Sequence, residues 1–155
     1  MTANICHHGI PRARIDPIQD AATALTMIRL AATEPLRNET IILLLDDARR
    51  GLGLVIVNGT DDNQAVLGVI DCIAASATRH DELDGVIIAS VRTGQSLDSH
   101  DRAIDGVTND ADIDRWFEMS HLAEEAGIEL VEWFLIGRAG AATCPRDLIG
   151  AAPRW

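Results

Sequence analysis

The aliphatic run from Thr40 to Asp46, TIILLLD, constrains the fold of this chain more than any other segment. A continuous stretch of β-branched and aliphatic side chains is typical of a central strand that is covered on both faces. Asp47 to Gly51 supplies a turn, and Leu52 to Val57 forms a second strand. The two strands are therefore predicted to pair as an antiparallel hairpin, which disfavours a purely parallel, doubly wound sheet.

The first helix is predicted to lie before this hairpin. Asp16 and Pro17 have the order of an N-cap and a first helical residue, and Gln19 completes the spacing of a capping box. Pro35 restricts the residue before it, so this helix should end near Thr33. Its predicted apolar face consists of Ile18, Ala22, Leu25, Ile28 and Ala32.

Two more helices are indicated by apolar residues at helical spacing. The second helix follows Asn58-Gly59, and its apolar stripe is Val66, Val69, Ile70, Ile73 and Ala77. The third is predicted to begin at Asn109 and to end at Gly127, because glycine is the usual residue just after a helix. Its predicted buried face is Ile113, Trp116, Phe117, Ser120 and Ala123.

Further strands are predicted at 86–91 and 128–136, with a short last strand at 141–144. The order is α-β-β-α-β-α-β with a final β, which indicates an α/β protein with helices packed on a mixed sheet. Residues 1–15 lack periodicity and form an N-terminal extension. Residues 16–155 are sufficient for one domain with its own core.

Charge and cysteine usage exclude several classes of function. Lys and Arg number 13 against 24 Asp and Glu, so the net charge of −11 repels phosphate backbones and disfavours direct nucleic-acid binding. Three cysteines without CxxC spacing argue against a disulfide scaffold and fit a reducing compartment. No secretory signal is apparent at the N-terminus, and no apolar run is long enough to span a bilayer, so a cytoplasmic protein is expected.

The stretch from Val86 to Asp112 is the predicted location of the functional site. It passes from an apolar strand through the polar loop 92–108 to the first turn of a helix. Such junctions are where α/β proteins usually place binding and catalytic residues.

Several segments, in this order, resemble the JAB/MPN domain of the RadC family, which has a cytidine-deaminase-like architecture. They are LLLDDARRGL at 43–52, Asn58-Gly59-Thr60, the strand at 85–89 and the strand at 127–137. The resemblance covers roughly residues 36–148 and implies a zinc hydrolase with a His-x-His-Pro motif at the end of the 85–89 strand. In this chain Ser90 and Arg92 stand at the two histidine positions and Thr93 at that of the proline.

The other residues implied by the resemblance are partly retained. The family's Ser-x-x-Asp corresponds to Asn109 and Asp112, which keeps the aspartate, whereas Glu39 lies one residue out of register with the general base. Asp112 also has a structural explanation, because it falls at the third helical position after an Asn109 N-cap. Arg92 has no lone pair to donate to a metal. Its guanidinium can bind either the carboxylate of a ligand or that of Asp112, and the pair with Asp112 is favoured.

The other cysteine and histidine candidates are explained without a functional role. Cys6-His7-His8 contains potential metal ligands, but adjacent residues rarely converge on one ion. His80 and His121 are interpreted as surface residues. Cys72, between apolar neighbours in the second helix, is interpreted as a small buried side chain rather than a nucleophile.

Two functions remain open at this point. The first is a RadC-like JAB/MPN domain without metal or catalysis, which acts in protein–protein interaction or scaffolding and could form a homodimer. The second is a divergent, peptidase-like hydrolase in which Asp98, His100 and Asp112 bind zinc and Glu39 is the general base. The substituted ligands favour the first. A role in DNA metabolism would require a basic partner because of the charge.

Overall fold

A mixed sheet of five strands forms the centre of the molecule, in the order β2-β1-β3-β4-β5. The strands are β1 (Glu39–Leu45), β2 (Gly51–Asn58), β3 (Gly85–Arg92), β4 (Glu129–Gly137) and β5 (Ala142–Thr143). β1 is antiparallel to β2 and to β3, β3 is parallel to β4, and β5 is antiparallel to β4. The structure is a computed structural model that describes residues 9–59, 63–77, 81–93 and 110–155. It confirms the predicted hairpin and the predicted α/β class with a mixed sheet.

Helices cover both faces of this sheet. They are α1 (Ala21–Ala31), α2 (Asn63–Ala77), α3 (Asp110–Glu125) and the short α4 (Pro145–Leu148), which the sequence analysis did not predict. Side chains alternate between the faces along each strand. Ile41 and Leu43 of β1 belong to the core beneath α1, whereas Ile42 belongs to the core beneath α2 and α3. The central strand β1 is accordingly buried along almost its whole length, as its composition predicts.

The predicted start of the first helix is wrong by one turn. Asp20, not Asp16, is the N-cap of α1, and its carboxylate accepts a hydrogen bond of 2.7 Å from the backbone N–H of Thr23. The Asp16 carboxylate instead accepts hydrogen bonds from Arg12, and Pro17 lies in an isolated β-bridge. Aspartate is a favoured N-cap residue, so residue type alone permits either position. A β-bridge to the hairpin decides between them, because it holds the chain extended until residue 18 has passed.

The buried face of α3 differs from the predicted one at a single aromatic position. Phe117 is 56% exposed, while Met119 is fully buried. Trp116, Ser120 and Ala123 lie on the buried face as predicted. A helix rotates by 100° per residue, so residues 116, 119, 120 and 123 form one stripe and residue 117 falls outside it.

Gly127 ends α3 in a left-handed conformation, as its position in the sequence predicts. Its φ is +76°, its N–H donates to the carbonyl of Glu124, and the N–H of Ile128 donates to the carbonyl of Ala123. These are the two hydrogen bonds of a Schellman motif.

Two glycine-to-alanine substitutions should have effects of opposite sign. Gly127→Ala should lower the free energy of unfolding by about 1 kcal/mol, because a Cβ disfavours positive φ. Gly68 lies within α2, and a Cβ added there would meet no atom within 4 Å. Gly68→Ala should therefore raise the free energy of unfolding by about 0.5–1 kcal/mol. Urea titration of both variants measures the two values, and a Gly127→Ala variant that is no less stable than the wild type would contradict the assigned helix end.

Candidate functional site

The end of β3 and the first turn of α3 meet over one face of the sheet. Val86 and Ile88 of β3 belong to the core beneath α2 and α3. By the alternation of a strand, Ser90 and Arg92 project toward the same face. Asp112 reaches that face from the first turn of α3. The structure thus brings together Ser90, Arg92 and Asp112, which are the positions that the resemblance assigns to a metal centre.

Arg92 and Asp112 form a buried ion pair. The distance between Nη2 of Arg92 and Oδ1 of Asp112 is 2.9 Å, the aspartate is fully buried, and the arginine side chain is 11% exposed. The guanidinium carbon also lies 5.8 Å from the centroid of the Trp133 ring, within the range of a cation–π contact. Asp112 further interacts favourably with the helix dipole because it lies in the first turn of α3. This geometry confirms the predicted intramolecular pair.

Ser90 is held by the same tryptophan. Its Oγ accepts a hydrogen bond of 2.9 Å from Nε1 of Trp133, and both residues are fully buried. A buried indole N–H needs an acceptor, so this bond satisfies a group that would otherwise be costly. Sequence reasoning did not foresee the contact, because it depends on how β3 and β4 are aligned. The sequence predicts that Trp133 lies in a strand, but it does not indicate which group accepts the hydrogen bond from its indole.

The side chains at this junction do not fit a zinc ion. A guanidinium carries no lone pair and keeps its positive charge, so Arg92 can neither ligate a metal nor leave Asp112 free for one. The Ser90 hydroxyl accepts a hydrogen bond from an indole N–H and does not supply the imidazole of a histidine ligand. Within the part of the chain that the structure describes, no group of three His, Cys, Asp or Glu residues is arranged to hold a metal.

Glu39 lies on the opposite face of the sheet from Asp112. Its carboxylate accepts hydrogen bonds of 2.8 Å from both the N–H and the hydroxyl of Thr33, just after α1. The neighbouring residue, Thr40, is the one that pairs with Ser90 across the strands. This register agrees with the one-residue offset noted in the sequence. Glu39 therefore serves as an acceptor beneath α1 rather than facing Arg92 and Asp112.

Several candidate residues lie outside the described residues. These are Asp98 and His100 of the alternative metal site, the Asn109 cap, His80, and the cluster of Cys6, His7 and His8. The proposed zinc site at Asp98, His100 and Asp112 consequently stays a prediction.

Two remaining candidates lie on the surface. His121 is exposed and lies 3.2 Å from Glu125, as expected of a surface histidine. Cys72 is also exposed, so its interpretation as a buried side chain is wrong. The buried residues of α2 include Val66 and Ile70, and residue 72 projects about 200° away from residue 70 on the helix.

A second buried ion pair escaped the sequence analysis. Glu132 of β4 is fully buried, and its carboxylate lies 2.7 Å from Nη2 and 2.9 Å from Nε of Arg146 on α4. The hydrogen bond to Glu132 raises the pKa of the Arg146 guanidinium. Burial and the neighbouring Glu132 carboxylate raise the pKa of the Cys144 thiol to about 12, which keeps it protonated and unreactive at neutral pH. The signal in the sequence was a glutamate within the apolar run of β4, because a buried carboxylate requires a cationic partner.

A cavity of about 530 Å³ lies beside the turn between β1 and β2. Its charged lining is partly neutralised, since Asp46 pairs with Arg50 at 2.8 Å and Glu82 pairs with Arg14 at 3.0 Å. Pockets for small organic ligands are mostly apolar, and this one is not. It therefore differs in chemistry from a substrate pocket.

Comparison with known proteins leaves the family unassigned. A scan of protein-family models finds no match to the chain, and a search of curated proteins finds none either. Among the described residues, no helix is both long and apolar enough to cross a membrane.

Proposed function

We propose that this chain is a RadC-like JAB/MPN domain in which an arginine has replaced the metal, and that it acts as a non-catalytic protein-binding domain. The observation that carries the proposal is the buried Arg92–Asp112 ion pair at the end of β3. The order of elements, α-β-β-α-β-α-β-β before the short α4, is the one expected from the resemblance and adds support.

The ion pair supports the loss of the metal on energetic grounds. A permanent cation already neutralises Asp112, so a metal ion would have to displace a guanidinium from a buried carboxylate. Removing one partner from such a pair leaves an uncompensated buried charge, which is strongly unfavourable. The site thus keeps a positive charge without the Lewis acidity and the bound water that hydrolysis requires.

Protein binding is the function that remains for a domain of this kind, and this step rests on analogy of fold. The net charge of −11 favours a partner with a basic surface and disfavours a bare nucleic acid. Attraction between such surfaces weakens at high ionic strength. A basic protein captured by this chain at low salt and released at high salt would support the binding half of the proposal.

Restoring the two histidines should restore a metal site. The variant Ser90→His with Arg92→His should bind about one zinc per chain, because two imidazoles and Asp112 supply three ligands of the usual zinc type. The same variant carrying Asp112→Asn is the matched control and should lose most of that affinity. Elemental analysis by mass spectrometry measures zinc, with circular dichroism to verify folding.

Three outcomes would count against the proposal. A folded double-histidine variant that binds no more zinc than its control would contradict the resemblance. Stoichiometric zinc in the wild-type chain, purified without chelator, would contradict the loss of the metal. If His100→Ala removed that zinc, the hydrolase with Asp98, His100 and Asp112 would become the better explanation.

A further inference from the structure

β2 is an apolar edge strand. Its sequence, GLGLVIVN, contains no charged residue and no proline, the features that usually protect an edge from pairing with another strand. Within the described residues, β2 pairs with β1 alone. Leu54, Val55 and Ile56 are 39%, 40% and 39% exposed, which is high for aliphatic side chains in the middle of a strand.

Neither helical layer covers this strand. Leu54 and Ile56 pair with Leu43 and Ile41 and share their face, whereas Val55 pairs with Ile42 on the other face. The described members of both core clusters include these β1 residues but no residue of β2. The two faces and the outer edge of β2 therefore present apolar surface together.

The hydrogen-bonding groups of Leu54 and Ile56 point away from β1. The N–H of Gly59 donates to the carbonyl of Asn38 at 2.8 Å, and this pair continues the register of β1 and β2. Hydrogen-bonded and non-hydrogen-bonded pairs alternate along an antiparallel ladder. Residues 57, 55 and 53 thus face β1, and residues 56 and 54 direct their N–H and C=O groups outward.

We propose that β2 pairs antiparallel with β2 of a second copy of this chain, about a two-fold axis at Val55. Leu54 of each copy then exchanges backbone hydrogen bonds with Ile56 of the other, and the two Val55 side chains meet across the axis. The sheets of both copies join into one continuous sheet. This interface is separate from the Arg92–Asp112 junction and does not depend on the assignment of the family.

The choice of a second copy follows from symmetry and charge. The outward-facing residues 54 and 56 are placed symmetrically about Val55, which is the condition for a self-complementary interface. Two copies that each carry a net charge of −11 repel each other through their acidic surfaces, so an uncharged strand such as β2 is a favourable place for them to meet.

The extent of the interface is limited at one end. The N–H of Arg14 donates to the carbonyl of Gly51 at 3.0 Å, so the segment before α1 occupies the edge of the strand beside the turn. Pairing with a second copy is therefore confined to the part of β2 after Gly51. Leu54 to Ile56 lie at its centre.

Complementary charges at Val55 test both the interface and its register. The wild-type chain should sediment at about twice the monomer mass of 16.7 kDa. Val55→Lys places like charges directly opposite each other and should give a monomer, and so should Val55→Glu. An equimolar mixture of the two variants should recover the dimer. Leu30→Lys, at a 64% exposed apolar position on α1, is the control and should remain dimeric.

Analytical ultracentrifugation at up to about 200 μM protein gives the decisive readout. A wild type that stays monomeric throughout this range would overturn the proposal. That result is also the one expected if residues 1–8 or another protein, rather than a second copy, occupy the edge of β2. A Val55→Lys variant that remains dimeric would overturn it as well. If a variant fails to fold, amide hydrogen exchange of the wild type decides: protection at Leu54 and Ile56 must increase with concentration.

Discussion

Replacing Asp112 with alanine should lower the free energy of unfolding by about 3–5 kcal/mol. The substitution leaves the guanidinium of Arg92, which is 11% exposed, without the carboxylate at 2.9 Å that neutralises it. The cost arises mainly from the buried charge left behind rather than from the attraction lost. Urea unfolding followed by circular dichroism measures the change.

Two controls separate this effect from a general sensitivity of α3. Asp110 lies in the same helical turn but is exposed, so Asp110→Ala should have a much smaller effect. Replacing the pair together, Arg92→Met with Asp112→Leu, should cost far less than Asp112→Ala alone, because no charge remains buried. A cost below about 1 kcal/mol for Asp112→Ala would place the pair among ordinary surface ion pairs and remove the main support for the proposed function.

Replacing Glu132 with alanine should also cost about 3–5 kcal/mol. Glu132 is fully buried and is the carboxylate partner of Arg146, whose side chain is 10% exposed. This pair connects α4 to β4, so its loss should also free the C-terminal segment. Thermal unfolding and limited proteolysis of the C-terminus measure the two consequences.

The matched control for this prediction lies on the same strand. Glu129 pairs with Arg49, but its side chain is 38% exposed, so Glu129→Ala should cost about 1 kcal/mol or less. Equal losses in the two variants would show that the burial of Glu132 contributes nothing beyond a surface ion pair. An intact C-terminus in Glu132→Ala would show that α4 is held by its apolar contacts instead.

The sequence predicted those parts of the site for which the end of a strand or the start of a helix could be located and the charge of the side chain there was known. Arg92 and Asp112 were paired in advance because one ends a strand, the other begins a helix, and their charges are opposite. The offset of Glu39 came from the resemblance, which puts the general base one residue away. A shift of one residue moves a side chain to the other face of a strand, so the period of β1 then indicates that Glu39 faces away from Arg92 and Asp112.

The missed parts depend on contacts between distant segments. The bond from Trp133 to Ser90 spans 43 positions in the sequence. It exists because β3 and β4 lie parallel, with a shift in register between Val86 and Ile87. No pattern within either strand specifies that shift. The ion pair between Glu132 and Arg146 was missed for the same reason, together with the short helix that carries the arginine.

The sequence by itself determined the order of the strands and of the helices α1 to α3, the hairpin of β1 and β2, and the end of α3 at Gly127. Each of these is set by interactions within a few residues: side-chain period, turn chemistry and the conformational freedom of glycine. Only the tertiary structure decided that Asp20 rather than Asp16 caps α1, that Phe117 and Cys72 are exposed, and that β2 is left uncovered at the edge. These features depend on which surfaces come into contact when the sheet and helices pack together. A side chain gains the free energy of burial only through those contacts, which no local sequence pattern specifies.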